Sequence, residues 1–260
     1  MALRTTNEPS QGEITAICAE SGAGKTSLAD RFPNPYFLNI EGSNNTKSMR
    51  HWVKVPTTMK EIYDAMNDFY KETHEYKTLV FDSITQIERI LMSDIVEAEK
   101  KPFPECAGGF GKAYELVHQR LKEFVGACQR LKEARGVNIV WIFHAIGEEM
   151  ELPGMPVFQR WMPSLWVKKD GHTNNNLIFM SLSDNWYHLR LNYELSSDAS
   201  DAGNKVEGDI IRRKVATESP TTRMIGTQPT TSYFAKNRQG VNGEFLFALD
   251  KPLALIEGKK

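Results

Sequence analysis

Ala19-Glu20-Ser21-Gly22-Ala23-Gly24-Lys25-Thr26 is the stretch on which the fold turns. The residues before it, Glu13 to Cys18, are apolar and β-branched and read as a buried strand; those after it, Lys25 to Arg31, read as a helix. The glycines between let the backbone turn so that successive N–H groups point inward at an anion, and a helix N-terminus adds partial positive charge. Ending in Lys25 and Thr26, the octapeptide fits the Walker A pattern, with Ala19 in place of its first glycine. The expected ligand is ATP with Mg²⁺. Glu20, Ser21, Gly22, Ala23, Gly24, Lys25, Thr26 and Ser27 make up the predicted phosphate-binding set. Lys25 is expected to reach the β- and γ-phosphates, and the Thr26 hydroxyl to bind the metal.

Outward from this loop the first half alternates strands and helices. Tyr36–Ile40 reads as a strand. Thr58-x-x-Glu61 is a capping box that opens a helix with Ile62, Ala65, Met66, Phe69 and Tyr70 on one face. Lys77–Phe81 is a buried strand ending at Asp82, and a helix through Ile84, Ile87, Ile90, Leu91 and Ile95 follows it. Lys100–Gly111 is a loop. Lys112–Arg135 is a long helix stopped by Gly136, and Val137–Phe143 is another buried strand. This rhythm predicts an α/β fold with a largely parallel central sheet flanked by helices. The second half predicts antiparallel strands at 177–181, 186–191, 210–215, 233–235 and 244–249, with long loops at about 147–163 and 196–208.

Composition narrows the class. The chain has 260 residues, 40% hydrophobic and 25% charged, which suits one large soluble domain. No apolar run approaches the roughly 20 residues that span a bilayer, and the N-terminal residues lack a signal segment. The expectation is a cytoplasmic protein without a membrane partner, with Cys18, Cys106 and Cys128 as reduced thiols. Net charge is −1, so no global basic character announces nucleic acid. Local charge is uneven: 60–105 carries eleven acidic and six basic residues, 205–238 seven basic and three acidic. A solvated face and a phosphate-bearing partner both account for that.

Further candidates lie at strand ends, where a parallel sheet gathers its ligand. Asp82 can hold magnesium as the Walker B carboxylate. The next residue is Ser83, where many motor ATPases carry the water-activating Glu, so Glu41, after the neighbouring strand, is the candidate base. His144 is positioned to sense the γ-phosphate. Gly108-Gly109-Phe110-Gly111-Lys112 lacks phosphate-loop spacing and reads as a turn.

Together the AESGAGKT loop, PNPYFLNIEGS ending its strand at Glu41, LVFDS with Asp82, and NIVWIFHA with His144 resemble the RecA-like ATPases, more narrowly the phage nucleotide-binding and single-strand annealing ATPases related to RecA and RadA. Lys236-Asn237-Arg238 is similar to the RadA-type Lys-Asn-Arg-Phe-Gly motif, but Gln239-Gly240 follows and the Phe is missing. The resemblance implies a single RecA-like domain with its core at about 13–249. It implies Glu41 as general base, His144 as γ-phosphate sensor, and Lys236 and Arg238 as fingers on ATP held by the neighbouring subunit. It further implies a homo-oligomer, ring or filament, with single-stranded DNA as partner and a single-strand-binding protein beside it. Arg160, Lys168, Lys169, Arg212, Arg213 and Lys214 are the candidate DNA contacts; Trp161 reads equally as core or as a stacking platform. The functions that follow are an ATP-dependent recombination protein that anneals or pairs single strands, or a nucleotide-gated interaction module with slow turnover. A small-molecule kinase fits less well, because Arg212-Arg213 is the only close Arg pair.

Overall fold

A computed structural model of the chain describes residues 12–42, 54–151, 154, 156–168, 173–192, 222–238 and 243–246. Among the described residues nine strands form one sheet: β1 (Ile14–Ala19), β2 (Pro35–Asn39), β3 (Thr78–Asp82), β4 (Asn138–Met150), β5 (Phe158–Pro163), β6 (Asn185–Asn192), β7 (Thr222–Gly226), β8 (Lys236–Asn237) and β9 (Glu244–Leu246). The main path runs β2-β3-β4-β1-β6-β7-β9, with β5 on β4 and β8 on β6. The pairs among β2, β3, β4, β1 and β6 are parallel, and β7, β8 and β9 add on antiparallel. The expected α/β class is the observed one.

Helices α1 (Lys25–Ala29), α2 (Met59–Lys71), α3 (Ile84–Glu99), α4 (Lys112–Arg135) and α5 (Asn175–Leu182) cover the sheet unevenly. Ile14, Ala16, Leu79, Phe81, Ile139, Trp141 and Phe143 pack on α2 to α5. The alternate positions Ile17, Val80, Val140 and Ile142 pack on Leu28 and Ala29 of α1. Both sets are buried because a central parallel strand has no solvent face. Helix α4 buries Ala113, Val117, Leu121, Phe124, Val125, Cys128 and Leu131, a stripe at helical spacing. Phe124 meets Phe81 edge-to-face, ring centroids 5.2 Å apart. Burying one such side chain stabilises the fold by about 1.5–3 kcal/mol. Thr58 caps α2 by accepting from Glu61 N–H at 3.3 Å, as the capping box predicts, while the Glu61 carboxylate turns to Thr57 N–H. Cys18, Cys106 and Cys128 are free and buried. Among the described residues no helix is long and apolar enough to cross a membrane.

The second half departs from the expected pattern. Residues 147–163 are not one loop: β4 continues to Met150 and returns as β5, an antiparallel arm. Arg160 stands opposite Glu148 across it in the register of the ladder. Residues 177–181 lie in helix α5, not in a strand. The Asn174 side chain accepts from Asn176 and Leu177 N–H and caps it, and a short apolar run is ambiguous without such a partner. Strand β6, expected antiparallel, lies parallel to β1, because α5 carries the chain back to the starting end of the sheet. At 233–235 a single bridge, Trp161 to Tyr233, replaces the expected strand, and pairing begins at Lys236. The strand expected at 210–215 lies outside the described residues, as does the loop at 196–208.

Candidate active site

The loop between β1 and α1 takes its shape from Gly22 and Gly24, with φ of 79° and 101°. Both lie in the left-handed region that favours glycine. Helix α1 is only five residues long, shorter than expected, so its dipole is small and the phosphate-facing groups are mainly loop N–H. Lys25 is buried at 7% exposure. Its Nζ donates to Ala19 O at 3.2 Å and Glu20 O at 2.8 Å and approaches His144 Nδ1 at 3.4 Å. Burial lowers the proton affinity of its ammonium, and the charges of Asp82, Cys18, Glu41 and Glu20 offset this only in part. An ammonium held over backbone carbonyls in a glycine-turned loop is matched to an anionic ligand that adds charge to this pocket.

Asp82 closes β3 and is 4% exposed. Burial raises its carboxyl above the ordinary range, against the opposing hydrogen bond from Thr26 Oγ1, which donates to Oδ2 at 2.8 Å. The pair is all oxygen, the donor set a hard cation takes. Among the described residues no group of three or more His, Cys, Asp or Glu could hold a metal. A two-residue oxygen site fits Mg²⁺, which fills its shell from phosphates and water.

Glu41 follows β2, whose last residue Asn39 is in register with Asp82. Its backbone N–H donates to Asp82 O at 3.2 Å, which ties the two strand ends together. Glu41 Oε1 accepts from His144 Nε2 at 2.7 Å and from the Ser83 hydroxyl. Burial alone would raise the Glu41 carboxyl, but its hydrogen bonds to His144 and Ser83 and the charges of His144 and Lys25 outweigh that and hold it below the ordinary range. His144 sits beside Ala19 in register, and its backbone N–H donates to Thr85 Oγ1 at 3.2 Å.

So Lys25, Thr26, Glu41, Asp82 and His144 meet at one end of four adjacent strands. Ser83 and Thr85 join them. In the sequence Ser83 stands out only as the absence of a glutamate. Its signal was the Ser-x-x-Gln spacing of a helix cap, since its hydroxyl also accepts from Gln86 N–H at 3.3 Å.

Lys236 and Arg238 are elsewhere. Lys236 Nζ donates to Ser183 O at 2.6 Å and Ser181 O at 3.4 Å, capping the end of α5. Arg238 Nη1 pairs with Asp184 Oδ1 at 2.7 Å. Asp184 N–H bonds Ile14 O, so both cations sit level with the start of β1. Five residues of strand, about 16 Å, separate that level from the loop of the same chain. Of the DNA candidates, Arg160 lies on the β4–β5 arm and Lys168 beyond it, bonded through its N–H to Thr173 O. Lys169, Arg212, Arg213 and Lys214 lie outside the described residues. Trp161 is half-buried on the arm, its N–H bonded to Ser232 O at 2.7 Å.

A family model described as an AAA domain matches residues 12–239, and the chain belongs to that family. No curated protein matches the chain. Family and sheet together make this a P-loop nucleotide-binding domain of the ATPase type.

Proposed function

We propose that this AAA-domain chain hydrolyses ATP with Mg²⁺ as an oligomer and uses the cycle to bind single-stranded DNA and promote its annealing or pairing, as the RecA-like phage ATPases it resembles do. One observation carries the reading. His144, in contact with both Lys25 and Glu41, lies on β4 immediately before the arm that begins at Ala145. A change at the phosphates therefore has a one-residue path to a projecting element.

In this reading Lys25 leaves its carbonyl partners for the β- and γ-phosphates. Thr26 and Asp82 hold Mg²⁺, which when bound neutralises charge on those phosphates. Glu41 accepts a proton from the water that attacks the γ-phosphorus while the β–γ bridging bond breaks, giving ADP and phosphate. Lys236 and Arg238 stabilise the charge that develops on a neighbour's nucleotide. Their distance from the loop of their own chain supports action across an interface. ATP turnover measured with and without single-stranded DNA at low salt, beside a size measurement, tests the reading. DNA is expected to raise both rate and size, and no change in either would sink it.

A second reading has its own support. The arm exposes Ile146 and Val157, at 42% and 60%, beside Glu148, Glu149 and Glu151. An apolar, acidic arm suits a protein partner better than a phosphate backbone. ATP binding with negligible turnover, indifferent to DNA, would favour such a nucleotide-gated interaction module.

A further inference from the structure

Ser83 fills the place after the Asp82 carboxylate. It is fully buried, and its hydroxyl does two things at once. It accepts from Gln86 N–H, capping α3, and it donates to Glu41 Oε1 across 42 residues of sequence. The same Oε1 accepts from His144 Nε2. Among the described residues Oε2 has no hydrogen-bond partner. A carboxylate gripped at one oxygen by two donors from two directions cannot rotate without losing both bonds. Its second oxygen is thereby left as the acceptor for the reaction.

We propose that Ser83 is a positioning residue for Glu41, fixing which carboxylate oxygen faces the attacking water. The glutamate that many ATPases carry next to the β3 aspartate is matched here by Glu41, just after β2, and Ser83, next to the aspartate, is its clamp. His144 alone cannot replace this clamp. One hydrogen bond leaves the carboxylate free to swing about it, and His144 also answers to Lys25, which must move when phosphate binds. A displacement of about 1 Å at such a base is worth about 100-fold in rate.

The inference rests on the reading of Glu41 as the base, and the experiment keeps the two apart. Full-length wild type, Ser83→Ala, Ser83→Gly, Glu41→Gln and the double variant Glu41→Gln/Ser83→Gly are compared for kcat with Mg-ATP and for nucleotide affinity by fluorescence titration. Gly disturbs a helix cap less than Ala does. A role confined to capping would therefore separate the two Ser83 variants, whereas a role through Glu41 makes them equal. Both are expected to lose about 10- to 100-fold in kcat with nucleotide affinity within about twofold of wild type. In the Glu41→Gln background the Ser83→Gly loss should vanish, because a positioning residue acts only through the group it positions. Wild-type kcat in both Ser83 variants, a loss confined to Ala, or an undiminished Ser83→Gly loss in the double variant overturns the proposal. Retained turnover in Glu41→Gln alone overturns the reading of Glu41 and takes this inference with it.

Discussion

Replacing Lys236 by Ala separates two jobs that one side chain could perform. In the free subunit its ammonium caps α5 through Ser183 O at 2.6 Å and Ser181 O at 3.4 Å. Burial and the charge of Arg238 lower its proton affinity, with Asp184 opposing. A charge-assisted bond of this kind contributes up to about 3 kcal/mol when desolvated, but this group is only half-buried, so about 1 kcal/mol is the reasonable loss. In a chain of this size that lowers Tm by about 2–4 °C and leaves the protein folded. If Lys236 also acts as a finger, turnover falls by about 10³–10⁵ while nucleotide affinity stays near wild type. Mixing tests the interface. Lys236→Ala subunits keep an intact loop, and Lys25→Ala subunits keep an intact finger. In randomly mixed equal oligomers about one quarter of the interfaces pair the two intact halves, so about one quarter of wild-type turnover should return. A phosphate-release assay on the mixture, after subunit exchange is verified, reads this directly. Turnover no greater than the sum of the separate variants refutes the trans assignment, and wild-type turnover of Lys236→Ala alone refutes the finger.

Thr26→Ala removes the hydroxyl beside Asp82 Oδ2 and should weaken nucleotide binding about 10- to 100-fold in Mg²⁺ yet hardly at all in EDTA, as a titration in both buffers would show. His188 is buried against Tyr233, ring centroids 4.5 Å apart, and burial, with a smaller contribution from the charge of Arg190, lowers its pKa from 6.5 to about 4. The unfolded chain therefore binds a proton that the native state refuses, so stability is full above about pH 6.5 and falls towards pH 4, by about 2 kcal/mol at pH 5. Urea midpoints at pH 7 and pH 5 should show this loss in wild type and a smaller one in His188→Phe; an identical pH dependence would exclude His188 as its source. Asn174→Ala removes the cap of α5 and should cost about 1 kcal/mol, or about 2–4 °C in Tm by thermal scanning.

The parts of the fold legible in sequence were those whose cause is local. Helix α4 was readable from end to end because its apolar stripe, its length and the terminal Gly136 agree. The strands β1 to β3, and β4 as far as Phe143, were readable because strands buried on both faces are nearly continuous apolar runs. Residues 175–182 were not: the short apolar run Leu177–Met180 satisfies either period, and the Asn174 cap decides it only when its N–H partners are in place. Nor was the arm from Ala145 to Pro163, since a ladder with solvent around it needs no apolar alternation.

By itself the sequence determined that a phosphate-shaped turn joins a buried strand to a helix. Glycine at 22 and 24 and the Lys25-Thr26 pair impose that geometry on any chain that folds around them. Tertiary structure alone decided what surrounds it. Glu41 and His144 lie 103 residues apart, and they meet because β2, β3, β4 and β1 are neighbours in one parallel sheet. Ser83 acquired a second task, and Lys236 was sent to the opposite end, for the same reason. Pattern within a segment encodes backbone shape and burial, whereas the order of strands, which chooses partners, follows from how whole faces pack.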